Sequence, residues 1–247
     1  MCSSDLMLSR LPLSAGRVRL LPNTFDAHRF RPGPKPEYLL KRYGLTADQP
    51  VIFTVCRMPK VERYKGYDKI LQALPAVQKR HPRVHYVLGG AGPDSHRVEA
   101  MIRDLRLERS VTLAGFIPDD ELCDFYNLCD VYAMPSKAEG FGIVFLEALS
   151  CGKAVVAGNR DGSVDAVLDG EIGCLVDPDN VEEIGGAMAS ILAGTHPLET
   201  LRRPEVLRRR VIEAYGFERY VGVVRSHLEA LGVKTGTDRR SGASQLP

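Results

Sequence analysis

The chain has 247 residues and a formal net charge of +2. This length suits one large domain or two small ones, and the balanced charge argues against a protein that wraps nucleic acid or another polyanion. No apolar run approaches the ~20 residues of a membrane span, and the start lacks a basic segment before an apolar one, so we expect no signal peptide and a cytoplasmic location. Six cysteines without metal-type spacing favour buried free thiols in a reducing compartment, and we expect no metal site.

The first residues, MCSSDL, have two interpretations. They can be back-translated as GTG TGC TCT TCC GAT CT plus one base, which matches the end of a sequencing adapter. We therefore expect residues 1–6 to be a non-native start of a truncated reading frame, and the alternative is an ordinary disordered terminus. Residues 7–37 are proline-rich towards their end, and we expect the remnant of an extended linker there.

Apolar β-rich runs then alternate with runs of helical period. In chain order these are VIFTVC, YDKILQALPAVQKRH, RVHYVLGG, HRVEAMIRDLRL, SVTLAG, PDDELCDFYNLC, DVYAMPS, GIVFLEALSC, KAVVAG, SVDAVLDG, GCLVD and NVEEIGGAMASIL. Pro75 should kink or shorten its helix, and Asn180 should cap the last one. The alternation predicts one α/β domain over residues 38–215, a doubly wound parallel sheet with helices on both faces.

Two segments near the end of the chain are interpreted separately. LRRPEVLRRR is either a phosphate or lipid-headgroup patch or a solvated helix face, and we favour the helix face. Residues 216–232 predict an amphipathic helix, and residues 233–247 a disordered polar tail. The apolar face of that helix consists of Tyr220, Val223, Val224, Leu228 and Leu231.

Ligands of parallel sheets bind in the loops at the carboxyl ends of the strands. Arg57 and Lys65 follow the first strong strand. A guanidinium and an ammonium together could compensate the charge of a diphosphate without a metal ion. Lys60 and Arg63 lie in the same loop, so the alternative is a solvated basic loop.

A second loop, SKAEGFGIVFLE, places two carboxylates around a helix start. Gly140 and Gly142 would let a phosphate approach the free amides of the helix. A carboxylate repels phosphate, so Glu139 and Glu147 suit neutral hydroxyls, such as those of a sugar and a ribose. Glu147 could instead be an exposed helical residue, but its apolar neighbours favour partial burial with a partner.

These motifs resemble the nucleotide-sugar-binding half of a retaining glycosyltransferase of the GT-B architecture, in glycosyltransferase family 4. The resemblance runs from LLPNTFDAHRFRP through RMPKVERYKGYDKI, GGAGP, VTLAGFIPDDEL, CDVYAMPSKAEGFGIVFLEALSCGKAVVAG and DGEIGCLVDP to the GFERY helix. It implies a Rossmann-like fold. Residues 216–232 would then be the helix that crosses back onto an N-terminal acceptor domain, and this helix should be poorly packed here.

The resemblance also implies roles for individual residues. Arg57 and Lys65 would bind the donor diphosphate, Glu139 would contact donor-sugar hydroxyls and Glu147 would hold the ribose. The further donor-binding residues would be Gly140, the backbone amides of Phe141, Gly142 and Ile143, and Ile117 near the base. The implied catalytic residues are Arg57, Lys65 and Glu139.

Two departures from the family pattern stand out. Asn23 is followed by Thr24 where the family often has glycine, and a carboxylate of the G-G-x-x-E-x-V motif survives only as the shorter Asp165. We also expect the N-terminal acceptor domain, with its Gly-rich loop and histidine, to be missing. The chain's histidines match no motif of that domain and lie at His28, His81, His85, His96, His196 and His227.

The implied activity is transfer of a hexose, with retention, from a UDP-, GDP- or ADP-sugar to a saccharide or lipid-linked acceptor. No cofactor, metal ion or nucleic acid is expected. The isolated chain should be inactive, and the full-length enzyme could contact a membrane peripherally. The alternatives are the donor-binding subunit of a two-component glycosyltransferase and, less favoured, a non-catalytic nucleotide-sugar-binding module.

Overall fold

The computed structural model describes residues 18–58, 60 and 63–233. The predicted non-native start, the first part of the predicted linker and nearly all of the predicted polar tail therefore lie outside the described residues.

Six parallel strands form one sheet in the described part of the chain. They are β1 (Val51–Val55), β2 (His85–Gly89), β3 (Val111–Gly115), β4 (Val131–Met134), β5 (Ala154–Gly158) and β6 (Cys174–Val176). The strand order is β3-β2-β1-β4-β5-β6, and every neighbouring pair is parallel. The order reverses between β1 and β4, where ligands bind in open α/β sheets. The predicted doubly wound, Rossmann-like α/β fold is confirmed.

Helices surround the sheet. They are α1 (Glu37–Tyr43), α2 (Tyr67–Arg80), α3 (Ser95–Asp104), α4 (Leu122–Leu128), α5 (Ile143–Ser150), α6 (Ser163–Ala166), α7 (Val181–Leu192), α8 (Pro204–Tyr215) and α9 (Phe217–Ala230), with 3-10 turns at Arg63–Lys65, Asp119–Glu121 and Glu199–Arg202. Helix α2 packs against α7, and α5 packs against α8. Strands β2, β4 and β5 are buried along their whole length, as expected for a parallel sheet covered on both faces.

The predicted helices and strands are present in the structure, with small differences in number and bounds. Helix α1 was not predicted, because its proline-rich approach suggests only extended chain. Pro36 in extended conformation precedes it, and Gly44 at φ 65° ends it. The predicted helix after Pro118 divides into a 3-10 turn and α4.

Two local predictions concern helix chemistry. Asn180 caps α7 as predicted, since its side chain accepts a hydrogen bond from the Glu183 amide at 3.1 Å. Pro75 does not shorten α2, which continues to Arg80. The buried face of this helix, which includes Leu71 and Leu74, explains why packing outweighs the lost backbone hydrogen bond.

The described part of the predicted linker packs against the domain, which the sequence analysis did not anticipate. Phe25 and Phe30 are buried, with only 6% and 3% of their surface exposed, and they belong to the hydrophobic core. The Arg208 guanidinium donates to the carbonyl oxygens of Phe30, Ser150 and Ala27 at 2.7, 2.7 and 2.9 Å. These bonds attach residues 25–30 to α5 and α8. Proline content indicated extended chain but not that the chain would pack.

The arginine cluster is only in part the solvated face that we favoured. Arg202, Arg203 and Arg209 are exposed. Arg208 is partly buried, and its guanidinium binds the backbone carbonyls of residues 27 and 30. Arg210 pairs with Glu171 at the surface. The helix-face interpretation therefore fails at Arg208, because its partners are distant carbonyl groups that a local pattern does not reveal.

Helix α9 has no buried residue. Leu228 and Leu231, on its predicted apolar face, are 37% and 78% exposed, and Tyr220, Val223 and Val224 are half-buried. This weak packing agrees with the expectation. The surface that the helix would contact in a longer protein stays a prediction.

The five cysteines among the described residues are free thiols. Cys129, Cys151 and Cys174 are buried as expected, but Cys56 and Cys123 are partly exposed. The Sγ atoms of Cys123 and Cys151 lie 3.9 Å apart. Within the described residues no helix combines the length and apolar character that crossing a membrane requires.

Candidate donor-binding site

A pocket of about 590 Å³ opens at the ends of β1 and β4, where the strand order reverses. Both strands and the loops that follow them contribute to its wall. Its lining consists of Asn23, Val55, Cys56, Lys65, Met134, Glu139, Gly140, Phe141, Gly142, Ile143 and Val144. The tertiary structure therefore brings six of the nine predicted site residues into one pocket.

The other three predicted residues lie outside the lining of this pocket. Arg57 is exposed and directly follows the lining residue Cys56. Ile117 is buried next to Gly89, at the end of β2. Glu147 lies four residues beyond Ile143 on α5, which is about 6 Å along the helix axis. The predicted residues thus share one sheet edge but not one cavity.

An ion pair joins the two charged side chains of the pocket. The Lys65 ammonium donates to Oε2 of Glu139, and these side chains are 14% and 18% exposed. Burial acts to lower the pKa of Lys65, but the hydrogen bond and the attraction of Glu139 outweigh it, so the pKa is raised. Lys65 is therefore positively charged at neutral pH, and its ammonium group is already paired with the carboxylate of Glu139.

Gly66 allows the Lys65 loop to approach the Glu139 loop. Its φ is 77°, and a Cβ atom there would lie 2.3 Å from the carbonyl oxygen of Pro135. The amide of Lys137 also donates to the Tyr64 carbonyl at 3.0 Å. Only glycine tolerates both the positive φ and this close contact. The backbone thus holds the two loops together.

The start of α5 forms the polar floor of the pocket. Gly142, the residue before the helix, has φ 90°, and a Cβ atom would lie 2.5 Å from the Phe145 ring. The Phe141 ring packs edge-on against Tyr215, with centroids 5.3 Å apart. The first amides of a helix lack intrahelical acceptors and attract anions. The backbone around Gly142 can therefore receive a phosphate group.

Glu147 has its own environment on the inner side of α5. The Tyr126 hydroxyl donates to its Oε2 at 2.7 Å, and Tyr126 is fully buried. Burial raises the pKa of Glu147 to about 7, while the Tyr126 hydrogen bond and the charge of Arg29 oppose the rise. The predicted partial burial with a partner is confirmed. At neutral pH this carboxyl is poised between its protonated and ionised forms.

Four residues of the site region were missed from the sequence. Tyr126 donates to Glu147, and the charge of Arg29 acts to lower the pKa of Glu147. Asn23 lines the pocket, and the carboxylate of Asp161 accepts a hydrogen bond from the backbone amide of Glu139 at 2.6 Å. Asn23 lies in the linker motif, which was a usable signal. Tyr126 looks like an ordinary core residue in its helical pattern, and no local signal marks Arg29 or Asp161.

The two departures from the family pattern also have structural contexts. The Thr24 hydroxyl donates to the Tyr215 carbonyl at 2.8 Å, which anchors the linker to the end of α8. The Tyr215 hydroxyl in turn donates to the backbone carbonyl of Asp165 on α6. Asp165 is not among the residues that line the pocket. Among the described residues, no group of three or more His, Cys, Asp or Glu side chains is arranged to hold a metal ion.

Comparison with known proteins gives a consistent family assignment. Residues 39–205 match the family model described as glycosyl transferases group 1. The chain is 38% identical over 181 residues to a GDP-mannose-dependent alpha-(1-6)-phosphatidylinositol monomannoside mannosyltransferase of Mycolicibacterium smegmatis, covering 70% of this chain and 46% of that protein. It is 32% identical over 244 residues to the D-inositol 3-phosphate glycosyltransferase of Acidothermus cellulolyticus, covering 93% and 50%.

A solved structure supports the same fold. The sucrose-phosphate synthase from Thermosynechococcus elongatus superposes with a TM-score of 0.76 at 27% identity, over 93% of this chain and 57% of that one. The chain spans about half the length of the curated relatives that it matches.

Proposed function

Since this chain belongs to the family of glycosyl transferases group 1, we propose that its pocket binds the diphosphate and the sugar of a nucleoside-diphosphate sugar. One observation carries the proposal: the Lys65–Glu139 ion pair lies in a single pocket with the start of α5. The ammonium and the helix amides suit phosphate oxygens. The carboxylate repels phosphate but accepts hydrogen bonds from sugar hydroxyls.

Binding of the donor requires the ion pair to open. The diphosphate takes Lys65, with Arg57 as a second cation from the same loop, and the amides of Phe141, Gly142 and Ile143 face the distal phosphate. The donor-sugar hydroxyls then replace Lys65 as the hydrogen-bond donors to Glu139. Each charge-assisted hydrogen bond contributes roughly 1.5–3 kcal/mol. The carboxylate thus distinguishes a sugar nucleotide from a free nucleotide.

The nucleoside lies along the same sheet edge. Glu147, one helical turn further along α5, accepts hydrogen bonds from both hydroxyls of the ribose. Ile117, two residues after the end of β3, lies beside the base. The Tyr126 hydroxyl holds the Glu147 carboxyl in place from the buried side. This order of contacts matches a ligand that extends from sugar through diphosphate to ribose and base.

The proposed reaction is hexose transfer with retention of the anomeric configuration. As the sugar C1–O bond breaks, negative charge grows on the diphosphate, and Arg57, Lys65 and the α5 amides stabilise it. The acceptor attacks from the same face of the sugar. The site needs no divalent cation in this proposal, since the two basic residues supply the countercharge.

The pocket is proposed to be the donor half of a GT-B enzyme of glycosyltransferase family 4. An N-terminal domain would supply the site for a saccharide or lipid-linked acceptor and any peripheral membrane contact. A donor-binding subunit that pairs with a separate acceptor-binding chain is the second candidate. The exposed apolar side chains of α9 favour either arrangement, because both give that helix a partner.

Calorimetric titration of the purified chain with UDP, GDP and ADP tests the proposal, with and without a chelator. The name of the mycobacterial relative adds GDP-mannose to the ligands. We expect weak binding that the chelator does not change, and negligible sugar transfer, because open solvent dilutes the stabilisation of the leaving group. Loss of binding on chelation would refute metal independence. Transfer near 1 per second, typical of working enzymes, would refute the need for a second domain.

Two variants test the residue roles. Glu147→Ala should weaken every nucleotide and leave pyrophosphate almost unchanged, because pyrophosphate has no ribose. Glu139→Ala should weaken GDP-mannose more than GDP. If Glu147→Ala affects no nucleotide, the ribose assignment is wrong. If the intact chain binds none of the nucleotides, the proposed function itself fails.

A further inference from the structure

The loop after β5 is bonded to the backbone of Glu139 through one carboxylate. Oδ2 of Asp161 accepts from the Glu139 amide at 2.6 Å and from the Ser136 hydroxyl at 2.7 Å. Oδ1 accepts from the Ser163 amide at 2.9 Å, and the Gly162 amide donates to the Glu139 carbonyl at 2.9 Å. Both backbone polar groups of Glu139 are therefore held by the same neighbouring loop.

Buried serine residues hold the Asp161 carboxylate in place. Ser136 and Ser163 are fully buried, and their hydroxyl oxygens lie 3.2 Å apart beside Asp161. Hydrogen bonds to an ionised acceptor are shorter and stronger than neutral ones. Asp161 is not among the residues that line the pocket, whereas Glu139, to which it is bonded, is.

The hydrogen bonds with the Asp161 loop fix the direction in which the Glu139 side chain points. With its amide and its carbonyl both fixed, the backbone of Glu139 can rotate little, and its side chain reaches Lys65 across the pocket. A backbone rotation of Glu139 would withdraw the carboxylate from the position that the proposed sugar occupies. Lys65 would stay in place, because its loop is held by residues that precede Glu139: the Lys137 amide donates to the Tyr64 carbonyl, and Gly66 packs against the Pro135 carbonyl.

We propose that Asp161 is a positioning residue for sugar discrimination: it orients Glu139 towards the donor sugar without touching the donor. This inference rests on the proposed function. It assigns to Asp161 a part of the preference for a sugar nucleotide over the free nucleotide, and no direct contact with the diphosphate. Asparagine cannot make both contacts, because it has one acceptor oxygen. Whichever way its amide lies, the nitrogen faces the N–H of Glu139 or of Ser163, and each of these is a donor.

The test compares Asp161→Asn with a matched control, Asp177→Asn. Asp177 also accepts a backbone amide, that of Asp179 at 2.9 Å, and it pairs with Arg160, but it has no bond to the Glu139 loop. Calorimetric titration of the full chain with GDP-mannose, GDP and pyrophosphate gives the ratio of affinities for each variant.

We expect Asp161→Asn to reduce the preference for GDP-mannose over GDP about tenfold. GDP and pyrophosphate should bind at least as tightly as to the wild type and up to about fivefold more tightly, because withdrawal of Glu139 releases Lys65. The control should keep the wild-type ratio. In a Glu139→Ala background the Asp161 substitution should have no further effect on the ratio, which a merely structural role would not predict. Equal weakening of all three ligands, or an unchanged ratio, overturns the proposal.

If Asp161→Asn does not fold, Asp161→Glu tests the same contact. It keeps the charge but is one methylene longer, so the ratio should again fall without a loss of pyrophosphate affinity, and an unchanged ratio overturns the proposal. Failure of the proposed function looks different. In that case the wild-type chain binds none of GDP-mannose, UDP, GDP and ADP, and the role of Asp161 is refuted with it.

Discussion

Replacement of Glu147 by glutamine should make the protein more stable at alkaline pH than the wild type is. Burial raises the pKa of Glu147 from 4.5 to about 7. A carboxyl whose pKa is raised in the folded state stabilises the fold fully below its unfolded pKa. This contribution is lost as the pH rises through the folded value. The relevant window is therefore pH 4.5 to about 7.

The size of the effect follows from the shift. A difference of about 2.5 pKa units at 1.36 kcal/mol per unit corresponds to about 3 kcal/mol. Because Glu147 is only partly buried, this figure is an upper value. Glutamine does not titrate, so the stability of Glu147→Gln relative to the wild type should increase by up to this amount between pH 4.5 and pH 8. Other titrating groups cancel in the difference.

Urea unfolding of both proteins across this pH range measures the difference. Glu213→Gln, at an exposed position on α8, is the control for the same substitution without burial. Tyr126→Phe removes a hydrogen bond that lowers the pKa of Glu147, so it should move the transition to higher pH. A wild-type-to-variant difference that is constant with pH would refute the reasoning, as would a ¹³C titration of the Glu147 carboxyl with its midpoint near 4.5.

Three further outcomes are expected. Lys65→Ala should weaken the binding of UDP, GDP and ADP about equally, by roughly 10–100-fold for one lost charge-assisted hydrogen bond. Lys60→Ala, in the same loop, should leave these affinities unchanged. Unequal losses of affinity in calorimetry would contradict a diphosphate role for Lys65. Glu139→Gln should tighten pyrophosphate binding about fivefold, since it releases Lys65 from a pair worth about 1 kcal/mol; unchanged affinity would show that the pair does not compete. Gly66→Ala should lower the free energy of unfolding, measured by chemical denaturation, by about 2 kcal/mol more than Gly44→Ala does. Both glycines have positive φ, but only at Gly66 would a Cβ atom meet a backbone atom, at 2.3 Å. Equal losses of stability for the two variants would exclude the clash.

The class of fold and the sheet edge at which the site lies could be predicted from the amino-acid sequence. Strand and helix periodicities depend on neighbouring residues, so the alternation that begins with VIFTVC was readable without the structure. The carboxyl ends of parallel strands must share one edge. The residue types after β1 and β4 then indicated phosphate and hydroxyl chemistry. The partly buried state of Glu147 was also predictable, because its helical neighbours are apolar.

Which of these groups meet depends on the three-dimensional packing of the chain. Lys65 and Glu139 lie 74 residues apart, and their contact depends on β1 and β4 being neighbours in the sheet. The pairing of Glu147 with Tyr126 depends on the packing of α4 beside α5, and that of Asp161 with Glu139 on β5 lying beside β4. Hydrogen-bond partners distant in the chain leave no trace in local periodicity. Strand order and packing set these distances, and a linear pattern does not contain them.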